Sequence, residues 1–346
     1  MLCMKNLLLI ITLGALAQTS FAQSSDSAAF YFNRGMDEKN ARRFREAEKN
    51  FNKVLQLEPR NLDNLIQLAT SLLEQRRYSE AKEIFHKAEA IDANHPQVVE
   101  NLATLSFNAR KWDDAIRYAQ KMKQQKIGTG ANFLIARSYY ELENYGEGIK
   151  YCEYAFKDDG KNALIPYIAG RCFMDMHNYR RAAGCFDQAL ALDSSNSTWM
   201  YEAGLAWYAV PDDKKALYWI EKAGEKGYKK SNDYMENLAS AYLNAGQFEK
   251  GINVLKDILK NKPQDQEVLY SIAEAYYKTK KYTEAIDYWD QALVINNKNA
   301  NAVYMIGMAY QKKGEVEKGR QICDKAIQMD PSLAKLKEER KLPGGL

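Results

Sequence analysis

A chain of 346 residues, 46% apolar and 27% charged with a net charge of +4, has room for two ordinary domains or one long repeat array, and its balance excludes a membrane bundle or a disordered tail. The small positive excess contains no run of five like charges, which argues against nucleic acid, since that partner draws a concentrated basic patch. Only 7 Pro and 19 Gly, beside abundant Ala, Tyr, Lys and Glu, favour helix over sheet.

The chain opens on a leader. Lys5 precedes an apolar run from Leu7 to Ala17, and Ser20 and Ala22 stand three and one residues before a cut between Ala22 and Gln23. Residues 1–22 therefore read as a secretory signal peptide, with an apolar core too short to cross a membrane with ease. Cys3 lies ahead of that core, whereas a lipidated cysteine would stand at the cut, so no lipoprotein is expected. No later stretch is long and apolar enough to be a transmembrane segment. The expectation is an exported, soluble chain, first of all periplasmic, with secretion or the cell surface as other addresses. Removing the leader takes away Lys5 and no acid, leaving a charge of +3 (+4 minus Lys5).

From Ala28 onward the sequence repeats. Units starting at 28, 62, 96, 129, 163, 197, 232, 266 and 300 are spaced by 34 residues, except for one step of 33 and one of 35. Slot eight holds only Gly or Ala: Gly35, Ala69, Ala103, Ala136, Gly170, Gly204, Ala239, Ala273 and Gly307. Slot twenty does the same, from Ala47 and Ala81 to Gly251, Ala285 and Gly319. Slot twenty-four is usually large, as in Phe51, Phe85, Phe186, Leu255 and Trp289, and slot twenty-seven is often Ala. Two small slots twelve apart let a pair of helices approach closely across a turn. Slots 20, 24 and 27 fall on one face of the second helix, a helical rather than a strand period. Turn signals such as "GQFEKG" and "NKPQD" fall where the helices must stop. Each helix of about a dozen residues is marginal alone, so stacking on neighbours must stabilise the array.

This pattern resembles the tetratricopeptide repeat (TPR) family, marked by a small residue at slot eight, Ala at twenty, an aromatic at twenty-four and Pro at thirty-two. The resemblance covers 28–333, with Pro only at Pro59, Pro263 and Pro331. It implies an all-α fold, a right-handed superhelical solenoid of antiparallel helix pairs. Two units depart from the pattern: the third has Ala119 and Met122 where a large residue and Ala belong, and the sixth has Val210-Pro211 near its inter-helix turn. Local irregularity is expected at both. Residues 334–346 are expected to form a charged capping helix and a frayed tail.

An enzyme is the rival reading, and its residues are missing. His86, His95 and His177 do not pair at metal-ligand spacing; HExxH, a phosphate loop and a Gly-rich dinucleotide turn are missing, and acids alternate with Lys and Arg as on an exposed helical face. The chain is expected to be no enzyme and to need no cofactor or metal. Cys152, Cys172, Cys185 and Cys323 are expected to be small buried side chains; a disulfide, if one forms, would lie within Cys152, Cys172 and Cys185.

In the resembled family, slots 2, 5, 9, 12 and 13 of the first helices line a concave groove. Here that implies a protein- or peptide-binding row: Phe133, Arg137, Tyr140, Tyr167, Arg171, Tyr201, Tyr208, Tyr270, Tyr277 and Tyr304. Arg137 and Arg171 share slot nine, so side by side they would grip a carboxylate of an extended segment. The other possibility is that the tyrosines pack on each other and on helix stems. Phe32, Met36 and Thr70 stand where one family variant carries a carboxylate clamp for chaperone tails, which disfavours that variant. The expected function is a non-catalytic protein–protein scaffold or assembly factor of a bacterial cell envelope, with an unidentified protein or peptide partner. The alternative is a soluble carrier or receptor whose aromatic groove takes glycan or another small ligand. A homo-oligomer through the groove or the array ends is a third possibility.

Overall fold

The computed structural model describes residues 26–335; residues 1–25, with the signal peptide expected over 1–22, and those from 336 on lie outside them. A helix over 26–40 (α1) is followed by α2 (Phe44–Leu57), α3 (Leu62–Glu74), α4 (Tyr78–Glu89), α5 (Pro96–Asn108), α6 (Trp112–Gln125), α7 (Ala131–Glu141), α8 (Tyr145–Asp158) and α9 (Leu164–Asp175). Then come α10 (Tyr179–Leu192), α11 (Ser197–Ala209), α12 (Asp213–Glu225), α13 (Asn232–Asn244), α14 (Phe248–Asn261), α15 (Gln266–Lys278), α16 (Tyr282–Ile295), α17 (Ala300–Lys313) and α18 (Val316–Met329). No strand occurs among the described residues. The helices divide into two compact units, the first ending at Met176 and the second starting at His177. Within each unit, helices consecutive in sequence pack on one another, as expected of an all-α solenoid of helix pairs.

The repeating small slots are what allow this packing. Every residue in slots eight and twenty is buried, from Gly35 and Ala47 to Gly307 and Gly319. At Gly307 a Cβ would stand 2.8 Å from the Gly319 carbonyl oxygen and 2.9 Å from the Cys323 nitrogen, so the two backbones touch with no room for a methyl. Phe51, Phe85, Phe186 and Trp289 fill slot twenty-four without solvent contact. In the third unit the small Ala119 is also fully buried, with Tyr118 and Met122 beside it in the core.

Slot fifteen has a conformation that the residue pattern does not announce. Arg42, Arg76, Arg110, Glu143, His177, Pro211, Gly246, Lys280 and Gly314 all have positive φ. The next amide then reaches back to close the first helix, as in Arg77 N–H to the Leu72 carbonyl at 3.0 Å and Lys281 N–H to the Tyr276 carbonyl at 2.9 Å. This left-handed closure lets a helix of about three turns stop and reverse within three residues.

Side chains then start the following helix. Asn61, Asn196, Asp265 and Asn299 accept from the first-turn amides of α3, α11, α15 and α17, and Asn144, Asn178 and Asp212 do so for α8, α10 and α12. The two odd-length steps are absorbed at helix C-termini: α6 ends on left-handed Lys126 and α12 is followed by left-handed Gly227. The irregularity expected in the third unit thus sits at its exit. In the sixth, the Val210-Pro211 turn leaves both flanking helices at full length.

At the end of α18 a 3-10 turn, Pro331–Leu333, seats Leu333 against Ala300, Tyr304, Met308, Cys323 and Ala326. The expected capping helix and tail beyond it lie outside the described residues, apart from Ala334 and Lys335. Cys152, Cys172 and Cys323 are buried and Cys185 half-buried, and no disulfide joins these four.

Candidate binding faces

In the first unit the inner slots form a ladder of arginines on rings. Arg137, from α7, lies over the Phe107 ring of α5 at 4.2 Å and 5.7 Å from the Phe133 ring one turn back. Arg171, from α9, stands 5.5 Å from the Tyr140 ring of α7 and donates to the Tyr167 hydroxyl at 3.3 Å. The same geometry recurs because slot nine of one repeat meets slot twelve of the repeat before it. Phe107 is a member of this ladder that the expected row omits, although its slot-twelve position marks it in the sequence.

The two arginines are not equivalent, which corrects the expectation of a matched pair. Arg171 is committed to Tyr167 and Tyr140. Arg137 has no hydrogen bond or ion pair among the described residues; burial disfavours its charge, opposed only by Glu141 four residues on. Tyr140 is pushed up to about 12, chiefly by burial, and its hydroxyl is linked to Asp175.

In the second unit the expected exposed tyrosines are mostly packed. Tyr201 is only 8% exposed: it stacks on Tyr228 at 4.4 Å, meets Tyr234 at 5.7 Å and accepts from Asn237 Nδ2 at 2.7 Å. Tyr304 is 3% exposed within the terminal core. Tyr277 is half-buried between Tyr282 at 5.5 Å and Trp289 at 5.8 Å, and Tyr270 meets the same Trp289 edge-on at 6.0 Å. Tyr208 alone of the ten is exposed, at 39%. An aromatic in slot five is thus drawn onto the following helices, and these tyrosines pack on other aromatics.

Cavities open among the described residues of the second unit. One, about 430 Å³, lies at the turn edge and is lined by Arg180, Trp207, Asp213, Lys214 and Asn244 among others. Another, about 470 Å³, lies between the first turns of α15 and α17, lined by Gln266, Glu267, Tyr270, Ser271, Asn299 and Asn301. Of these, only Tyr270 belongs to the row expected from the sequence.

The repeated closure of small slots and the match of sequence profiles agree. Profiles of the tetratricopeptide repeat match residues 167–228, 237–301 and 300–333, and the profile of anaphase-promoting complex, cyclosome, subunit 3 matches 40–122. The chain belongs to the tetratricopeptide repeat family. Among solved structures, the TPR protein is similar to the C-terminal part of a TPR repeat-containing protein from Cytophaga hutchinsonii (20% identity, TM-score 0.51, covering 69% of this chain and 98% of that one). It is also similar to YrrB, described as a TPR protein with an unusual peptide-binding site (23% identity, TM-score 0.45, 55% and 98%). PilF of Pseudomonas aeruginosa is another (14% identity, TM-score 0.49, 63% and 99%). At these identities the likeness is one of fold. A TPR fold is a scaffold for protein–protein interaction, and no helix of the described residues is long and apolar enough to cross a membrane.

Proposed function

We propose that this TPR protein is a non-catalytic scaffold or assembly factor exported to a bacterial cell envelope, and that the inner face of its first unit holds an extended segment of a partner protein. The leader at residues 1–22 supports the address. Arg137 carries the binding reading. A guanidinium resting on the Phe107 ring, partly desolvated and with no acceptor of its own, is a ready seat for a carboxylate. Such a carboxylate could meet it bidentately while Phe133 and Tyr140 offer apolar area on either side. Arg171, held by Tyr167, shapes the neighbouring wall and is secondary.

The experiment is photo-crosslinking from position 133 in the native envelope, followed by identification of the recovered protein. Arg137→Ala should cut recovery about tenfold, corresponding to the loss of one charge-assisted contact, with helicity unchanged. Arg171→Ala should reduce it less. Equal recovery from wild type and Arg137→Ala would discard this site.

A further inference from the structure

The second unit contains a cavity whose chemistry differs from that of the arginine ladder. Its walls come from the first two turns of α15 and the start of α17. Gln266, Asn299 and Asn301 are amides, Ser271 is a hydroxyl, Glu267 a carboxylate and Tyr270 a ring. No cation is among these lining residues. Each amide presents a donor and an acceptor together, and a carboxylate accepts from two neighbouring donors at once. Asn299 spends its carbonyl oxygen on the Ala302 amide at 3.1 Å, which leaves its NH₂ as a donor.

We propose that this cavity is a saccharide site. A pyranose ring has a flat face of C–H groups and a rim of hydroxyls that both donate and accept. The Tyr270 ring, braced by Trp289 at 6.0 Å, suits the face, and the surrounding amides and Glu267 suit the rim. The volume of about 470 Å³ lies within the range of small-ligand sites, roughly 300–1,000 Å³. The site is built from second-unit residues alone and does not depend on the segment-binding face proposed for the first unit.

The full-length protein is titrated by calorimetry with hexasaccharides of β-1,4-glucose, α-1,4-glucose, β-1,4-xylose and β-1,4-mannose. At least one should bind. Tyr270→Ala should weaken it tenfold or more, Tyr270→Phe only slightly, and Asn301→Ala and Glu267→Gln severalfold each. Arg137→Ala should leave it unchanged. Asn301 and Glu267 are exposed, so their variants fold even if Tyr270→Ala does not. Failure of all four hexasaccharides to bind overturns the proposal. So does binding that survives Asn301→Ala and Glu267→Gln unaltered, or equal competition by an uncharged Ser-Gly hexapeptide.

Discussion

Asp187 Oδ1 accepts the indole N–H of Trp219 at 2.9 Å and thereby ties α10 to α12. Trp207, from α11, donates to the same oxygen at 3.1 Å, while Lys215 approaches Oδ2 at 3.7 Å and covers the Trp207 ring at 3.7 Å. One carboxylate thus joins three successive helices. Asp187→Ala strands two indole donors and should cost about 2 kcal/mol, the scale of hydrogen bonds to a charged group. Faster hydrogen exchange across α10 to α12 than elsewhere would be the signature, and an unchanged exchange pattern would contradict it.

In the last repeat α17 and α18 approach closely, Gly307 facing Gly319. A methyl at Gly307 would meet the Gly319 carbonyl at 2.8 Å, so Gly307→Ala should destabilise by about 1–3 kcal/mol through overpacking. Thermal melting should show a lower first transition, whereas Gly184→Ala, where a Cβ meets nothing within 4 Å, should not.

Slot fifteen invites stabilisation. Arg110 and Lys280 adopt φ of 56° and 63°, a region that costs a side-chain-bearing residue about 1–2 kcal/mol. Arg110→Gly and Lys280→Gly should therefore each raise stability by a few tenths to about 1 kcal/mol, after the loss to unfolded-chain entropy. Melting temperatures of the two variants test this, and a fall in either argues against strain at this slot.

Thiol chemistry provides a fourth test. Burial pushes the Cys185 thiol up to about 11, so almost none is thiolate at pH 8. Iodoacetamide at that pH should label Cys185 slowly in the folded protein and quickly in denaturant, with labelling of the folded form rising toward pH 11. Peptide mass spectrometry of the labelled chain decides between this and an activated thiol.

Much of this could be read from the residues. The Gly and Ala slots, the large slot twenty-four and the turn residues name the helix pairs, because each is a steric demand repeated in every unit. The binding faces were less legible. Tyr201 and Tyr304 occupy the slot that points inward, and the sequence alone could not show that Asn237 and Tyr228 take up the first, or that the terminal core closes over the second. Nor could it separate Arg137 from Arg171, which occupy the same slot; the difference is that Tyr167 sits one turn before Arg171 with a hydroxyl, where Phe133 has none.

The sequence by itself determined the period of 34 and the small and large side chains of slots eight, twenty and twenty-four that enter the core. Those follow from local sterics and from a hydrophobic repeat that needs only the nearest helices. The tertiary structure decided which inner side chains remain available, since that depends on what the next repeat lays over them. It also decided the left-handed closure at slot fifteen, where the turn geometry of two packed helices imposes positive φ on Arg, Glu, His and Lys as readily as on Gly.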